Sequence, residues 1–308
     1  MKVAVLYGGV SGEREVSLTS GQGMIEALTE RGHEVTAIDF HPERANELLT
    51  IDVDVVVSAL HGKYGEDGRV QSLLEMAGIP YTGSGVLASA LAMDKARAKI
   101  IFAASGIRVA RDVLIESVDS IDAKVAEWGN EFPCVVKPAQ EGSSNGLTIA
   151  MDESMLRAGI DRAFACDSAV LVEQYIKGKE LTVPVIGNFG KEEALPVIEI
   201  IPKNEFYDYE SKYTEGGSIH VCPAEISNEL TTEVQQAAVM AHRALGCSGY
   251  SRSDFLVSET GEAYILETNT LPGMTPLSLF PDSAKTVGIS YGELLERFME
   301  LALERESK

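Results

Sequence analysis

Lys2-Val3-Ala4-Val5-Leu6-Tyr7-Gly8-Gly9 is a short apolar run that stops at a glycine pair. Such a run reads as a strand buried on both faces, as in a parallel sheet. Residues 15–31 follow as a helix, with Met24, Ile25 and Leu28 on one side and a stop at Gly32. Residues 33–40, 54–60 and 79–81 are further strand segments, and 70–77 is a helix ending at Gly78. Strands separated by helices of this length predict right-handed βαβ units and a parallel sheet. Gly8-Gly9-Val10-Ser11-Gly12 does not spell G-x-G-x-x-G, which disfavours a dinucleotide fold.

The chain has 308 residues, enough for two or three domains. Hydrophobic residues at 45% and charged residues at 24% exclude a disordered chain. A formal charge of −21 argues against a nucleic-acid partner and against an anionic membrane surface. No run of about 18 apolar residues is present to span a bilayer, and the N-terminal run is too short for a signal peptide. Cys134, Cys166, Cys222 and Cys247 form no C-x-x-C pair and have no histidine at zinc spacing. They are expected as buried small hydrophobes in a reducing compartment. The expectation is a soluble, cytoplasmic α/β protein.

Beyond residue 94 the pattern changes. A helix over 94–104, strands over 132–138, 147–151 and 169–175, and a helix over 152–166 make a compact α+β unit. The last third carries strands over 181–186, 195–201, 250–257 and 263–266, with long helices over 228–245 and 290–304. Boundaries near Met93 and Lys179 divide the chain into 1–93, 94–179 and 180–308.

Three groups of residues carry chemistry. Asp254 lies on one strand, Glu267 and Asn269 on the next, with Gly261 as the hairpin turn between them. Glu267 and Asn269 share a face by the period of two, and Arg252 shares a face with Asp254. Oxygen ligands without His or Cys suit Mg²⁺; a solvated acidic hairpin would look the same. Against that, Phe255, Leu256, Ile265 and Leu266 surround the acids, and carboxylates in apolar surroundings need a metal or a partner. Next, Val135-Val136-Lys137-Pro138 leads into Glu141-Gly142-Ser143-Ser144-Asn145-Gly146. Such a loop offers N–H groups and hydroxyls to phosphate, although no G-K-[ST] ends it and a flexible surface connection explains it too. Last, Glu173, Ile176 and Glu180 follow a strand and could line an adenosine pocket; a strand ending in a charged turn explains them equally well.

Taken together these stretches resemble the D-alanine–D-alanine ligase family of the ATP-grasp superfamily. The carrying residues are Gly8-Gly9 with Glu13-Arg14-Glu15-Val16-Ser17, Leu60-His61-Gly62, Gly65-Glu66-Asp67-Gly68, Pro80-Tyr81-Thr82-Gly83-Ser84-Gly85, Met93-Asp94-Lys95 and the 141–146 loop. Phe206-Tyr207-Asp208-Tyr209, Lys212-Tyr213 and Glu267–Asn269 running into Pro272-Gly273-Met274-Thr275 complete the series. The resemblance spans essentially the whole chain in one order. It implies a three-domain α/β architecture: an N-terminal parallel-sheet, Rossmann-like domain and two α+β domains sandwiching ATP.

The resemblance also implies roles. Two D-alanines are joined using ATP through an acyl phosphate, for peptidoglycan synthesis. Asp254, Glu267 and Asn269 match ligands of two Mg²⁺, with Mn²⁺ an alternative. Lys95, Lys137, Ser144 and Lys212 match phosphate contacts, and Glu173, Ile176 and Glu180 adenosine contacts. Glu13 matches the acid that grips the first D-alanine's ammonium, at one end of a chain through Ser143 to Tyr213. Arg252 and the Gly273 N–H match oxyanion donors, Ser278 and the Leu279 N–H the grip on the second carboxylate, and His61 a histidine beside the substrates. Tyr213 goes with alanine as second substrate rather than lactate. Asn145, Ser251 and Thr268 depart from the family pattern; the first would touch loop closure or phosphate, the other two packing. Residues 140–146 and 204–217 are expected lids, and a homodimer through the N-terminal domain is the implied assembly. A ligase with another second substrate, a nucleotide-binding regulator without turnover and a scaffold protein are the competing readings. The intact set Glu13, Arg252, Asp254, Glu267 and Asn269 weighs against the last two.

Overall fold

A computed structural model describes residues 1–143, 145–202 and 217–306. The expected parallel unit is present. Strand β1 (Lys2–Gly8) is flanked by β2 (Glu34–Phe40) and β3 (Val55–Ser58), both parallel to it. Helix α1 (Arg14–Glu30) makes the first crossover, and α2 (Arg69–Ala77) follows β3. Both faces of β1 are covered. Val3 and Val5 pack with Met24 and Leu28 of α1, whereas Ala4 and Leu6 pack with Leu48, Val70 and Leu74. That two-sided burial is why β1 is apolar without alternation. The strand expected at 79–81 contracts to a single parallel bridge from Val56 to Tyr81. Pro80 has no N–H for a ladder, and the chain turns away at Gly83 with φ +87°.

Two antiparallel sheets make up the remainder. The smaller has the order β4-β7-β5-β6, formed by β4 (Asp112–Ile115), β5 (Cys134–Pro138), β6 (Thr148–Ala150) and β7 (Val170–Gln174). Helices α5 (Ile121–Trp128) and α6 (Glu153–Phe164) back it around Trp128, Val136, Leu156 and Ile160. The larger sheet has the order β11-β10-β8-β12-β13. Its strands are β8 (Gly178–Ile186), β10 (Ile198–Pro202), β11 (Ser218–Val221), β12 (Tyr250–Ser258) and β13 (Ala263–Asn269), with β9 (Glu193–Ala194) added to β8.

Helices α3 (Val86–Met93), α4 (Lys95–Ala104) and α7 (Asn228–Leu245) share one core with that sheet. Ala88, Ala98, Phe102 and Val234 meet Leu181, Phe255 and Ile265 there. The boundary expected near Met93 falls between α3 and α4. Helices α8 (Leu279–Thr286) and α9 (Tyr291–Glu306) bring the C-terminus back to the first sheet. Phe280 and Phe298 pack with Val3, Val5 and Tyr250, and the Phe298 and Tyr250 rings stack with centroids 3.9 Å apart.

Helix α3 was not legible as a helix. Its sequence, Val-Leu-Ala-Ser-Ala-Leu-Ala-Met, has too little polar character to display a 3.6-residue period. Strands β4 and β11, four residues each, are likewise too short to carry a pattern of their own.

Candidate active site

The hairpin of β12 and β13 supplies the acidic part of the site. Asp254 stands opposite Glu267 and Arg252 opposite Asn269, and Gly261 closes the turn with φ +86°. The register shifts between Asp254 and Phe255, because Phe255 pairs with Ile265 and Leu266 is the extra residue. This bulge has a chemical consequence. With an unbroken period of two, Ala263, Ile265, Glu267 and Asn269 would share one face. The bulge leaves Ala263 and Ile265 in the core with α7 and turns Glu267 and Asn269 to the opposite side.

Arg252 grips Asp254 through a two-pronged fork, Nε to Oδ1 at 3.0 Å and one Nη to Oδ2 at 2.9 Å. Asn269 Nδ2 donates to Asp254 Oδ2 at 3.0 Å, and Thr182 Oγ1 donates to Oδ1 at 2.5 Å. The donor set therefore consists of two carboxylates and one carboxamide on neighbouring strands. Hard oxygen donors of this kind fit Mg²⁺. Among the described residues no group of three or more His, Cys, Asp or Glu could hold a metal; the third donor of this set is an amide.

Glu13, just before α1, meets the loop after β5. Ser143 Oγ donates to Glu13 Oε1, a contact across 130 positions of chain. Two glycines make room for that carboxylate. A Cβ on Gly62 or on Gly142 would lie 3.1 Å from Glu13 Oε2. Ser143 itself has φ +51°, a left-handed conformation that is uncommon for a side-chain-bearing residue. Lys95 holds the same loop from α4, its Nζ donating to the Glu141 carbonyl at 2.7 Å while lying 3.5 Å from Glu267 Oε2.

His61 is buried, and its Nε2 has no hydrogen-bond partner among the described residues. Burial lowers its pKa against the pull of Glu13, which keeps the ring neutral near pH 7. Glu66, to which sequence reading assigned no role, lines the same cleft. Its Oε2 accepts from the Gly62 N–H at 2.6 Å. Burial, then the neighbouring Glu13 carboxylate, push its pKa up to about 8. The Glu-Asp-Gly motif around it was visible; its place in the cleft beside Glu13 was not.

At the far end, Ser278 stands at the N-cap position of α8, and its Oγ accepts from the Thr275 N–H at 3.0 Å rather than from the helix. The Leu279 N–H is the first of the helix, and such N–H groups have no intrahelical partner. A Cβ on Gly273 would stand 3.4 Å from Ser278 Oγ. All of this converges on one cleft of about 810 Å³. Glu13, His61, Glu66, Lys95, Ser143, Arg252, Glu267, Asn269, Gly273, Ser278 and Leu279 line it. His220 on β11 lines it too, with Nδ1 3.5 Å from Asp282 of α8.

Lys137, Glu173, Ile176 and Glu180 lie apart from that lining. Lys137 Nζ is 2.5 Å from Glu173 Oε2, and Glu173 and Ile176 are buried. Burial opposes ionisation of Glu173, but the ammonium groups of Lys137 and Lys99 outweigh it and hold its pKa below the ordinary value. Glu180 sits half-buried on β8, opposite Ile200 and Leu256. Ser144, Lys212 and Tyr213 lie outside the described residues, as does nearly all of the expected lid at 204–217. Two sequence departures gain an explanation. Ser251 Oγ is 2.8 Å from His242 Nδ1, and Ser253 Oγ is 2.9 Å from Thr268 Oγ1, each pair buried.

Two antiparallel sheets beside a parallel N-terminal unit, with Lys95 and paired oxygen donors facing a common cleft, define an ATP-grasp ligase. Residues 101–300 match the family described as D-ala D-ala ligase C-terminus, and residues 41–84 match D-ala D-ala ligase N-terminus. A D-alanine–D-alanine ligase of Halalkalibacterium halodurans is 56% identical over 306 residues, covering 99% of this chain and 100% of that one. The D-alanine–D-alanine ligase of Geotalea uraniireducens is 52% identical, covering 98% and 95%. Among solved structures, D-alanine–D-alanine ligase from Bacillus anthracis complexed with ATP superimposes with a TM-score of 0.84 at 36% identity, covering 100% and 98%. VanG D-Ala:D-Ser ligase from Enterococcus faecalis gives 0.85 at 33%, covering 98% and 99%. The chain belongs to the D-alanine–D-alanine ligase family.

Proposed function

We propose that this chain joins two D-alanines to D-alanyl-D-alanine at the expense of ATP, the step that supplies the dipeptide for peptidoglycan. The observation that carries the reading is the convergence of Glu13–Ser143, Arg252, the Glu267–Asn269 pair and the Ser278–Leu279 helix start on one cleft. A carboxylate oxygen of the first D-alanine attacks the γ-phosphorus, the bond to the bridging oxygen breaks, and ADP leaves. The second amine attacks the acyl carbon, the carbon–oxygen bond to phosphate breaks, and the amine loses a proton.

Glu13, fixed by Ser143, pairs with the first substrate's ammonium. Neutral His61 lines the cleft beside the substrates. Arg252, held rigid by its fork to Asp254, and the Gly273 N–H face the oxyanion of the tetrahedral intermediate, where such a donor is worth about 3–4 kcal/mol. Ser278 and the Leu279 N–H hold the second carboxylate at the positive end of α8. Asp254, Glu267 and Asn269 would hold Mg²⁺ or Mn²⁺, whose chemistry is charge neutralisation at the phosphate oxygens. Lys95, Lys137, Ser144 and Lys212 take the phosphates, and Glu173, Ile176 and Glu180 the adenosine. By the family resemblance Tyr213 sets the preference for an amine as second substrate.

No helix among the described residues is long and apolar enough to cross a membrane. We place the enzyme in the cytoplasm as a homodimer joined through residues 1–93, with 94–179 and 180–308 enclosing ATP and with neither nucleic acid nor membrane as partner. The test is ADP formation with D-alanine, D-serine and D-lactate in turn. D-alanine alone should sustain turnover; no D-alanine-dependent ADP would reject the reading. Faster turnover on adding D-serine would move the chain towards the D-Ala:D-Ser relatives, whose fold is equally close.

A further inference from the structure

Lys99 has no part in the chemistry above, yet it is among the most buried charges of the molecule, with 3% of its surface exposed. Its Nζ lies 2.5 Å from Asp112 Oδ2 and 2.5 Å from Glu173 Oε1. Glu173 is thereby shared. Oε1 faces Lys99 and Oε2 faces Lys137. The arrangement is set by register. Asp112 on β4 pairs directly with Glu173 on β7, and Val135 on β5 pairs with Glu173 from the other side, which puts Lys137 one diagonal step away. Lys99 reaches this cluster from a different body. Its helix neighbours Ala98 and Phe102 are packed in the core of β8, β12 and β13, the sheet that carries Asp254 and Glu267. One ammonium therefore ties the sheet with the adenosine-site acid to the sheet with the metal-site acids.

The two lysines and two acids sum to zero charge. A buried lysine in such a cluster costs desolvation, so its retention calls for geometry that a neutral residue could not supply. Lys137 cannot hold Glu173 and a nucleotide phosphate at full strength together. If it were the sole partner of Glu173, nucleotide binding would leave a buried carboxylate unpaired beside a polyanion.

We propose that Lys99 is a positioning residue of the nucleotide site, keeping Glu173 paired and in place so that Lys137 is available to a nucleotide phosphate. The proposal rests on the assignment of Glu173 and Lys137 to the ATP site.

Three variants and two readouts test it: steady-state kinetics in ATP and in D-alanine, and calorimetric titration with ATP. Lys99→Met leaves an excess negative charge, and KM for ATP should rise about tenfold or more, with kcat and KM for D-alanine within about threefold. Lys99→Arg keeps the charge and should return KM for ATP to within about threefold of the parent. Asp112→Asn removes the competing acid, commits Lys99 to Glu173, and should lower KM for ATP about two- to fivefold. Asp112 is half-exposed, so this variant keeps the test open if Lys99→Met does not fold.

A purely structural lysine would lower Tm in Lys99→Met while leaving KM for ATP within about twofold, and that result overturns the proposal. An unchanged or raised KM for ATP in Asp112→Asn overturns it as well. Lys137→Met separates the two layers. If it loses ATP affinity and the Lys99 variants do not, only the role of Lys99 falls. If Lys137→Met binds ATP like the parent, the nucleotide-site assignment falls, and this proposal with it.

Discussion

Two carboxylates, half-buried Glu66 in the cleft and buried Glu173 apart from it, titrate in opposite directions. Burial opposes ionisation of both. Glu173 has an ammonium group on each oxygen, and its pKa falls. Glu66 has one backbone N–H at Gly62 and faces Glu13 and Glu267, so its pKa climbs to about 8. Depth alone does not decide the charge of a buried acid; the sign of its nearest neighbours does. The cluster around Glu173 is built of compensated charge. The cleft instead crowds Glu13, Glu66 and Glu267 around one guanidinium, Arg252.

The largest effect that would sharpen this contrast is expected at Glu173. Glu173→Ala leaves two buried ammonium groups without their shared partner, which should cost about 3–5 kcal/mol of stability. Chemical denaturation measures it, and a loss below about 1 kcal/mol would erase the distinction between the cluster and the cleft. Next is Arg252→Ala, which removes the cation from the crowded cleft. It should lower kcat about 10²- to 10³-fold while ATP affinity by calorimetry stays nearly intact. Turnover close to the parent's would mean that Arg252 serves Asp254 alone.

The titration of Glu66 gives a third test. Its folded pKa lies above the ordinary 4.5 of the unfolded chain, so between 4.5 and about 8 the folded state binds more protons. Stability from this group is therefore full below that window and declines as pH rises through it. Glu66→Gln should flatten the fall of Tm from pH 5 to 8; identical slopes in both proteins would contradict the assigned environment. Glu173 behaves with the opposite sign, its contribution being complete above the ordinary carboxylate range and lost on acidification. The smallest effect is expected from Gly142→Ala. Its Cβ would stand 3.1 Å from Glu13 Oε2 and nudge that carboxylate. KM for the first D-alanine should rise about three- to tenfold with ATP affinity unchanged, since a displacement of a few tenths of an ångström is small beside the 1 Å that costs about 10²-fold.

Much of this was readable from one dimension. The Lys2–Gly8 strand, the Arg14–Glu30 helix and the hairpin turning at Gly261 have periodicity and punctuation of their own. Asp254 and Glu267 stood out because carboxylates among apolar neighbours demand a partner. Lys99 left a similar trace, standing between Ala96 and Phe102 on the inward side of α4, but a lysine can extend its stem over apolar surface and keep its charge in water. Only the fold shows that this one does not.

What the amino-acid order determined by itself is local: which segments are strands or helices, where glycine lets the chain turn, and which polar residues stand in apolar surroundings. The tertiary structure decided the rest. It placed Ser143 on Glu13, slipped β13 by one residue at Leu266 so that Glu267 faces the cleft, and set Lys99 and Lys137 on the two oxygens of one carboxylate. These are contacts between residues far apart in the chain or effects of strand register. Their energies depend on burial and on distances of a few ångströms, which a local sequence pattern does not encode.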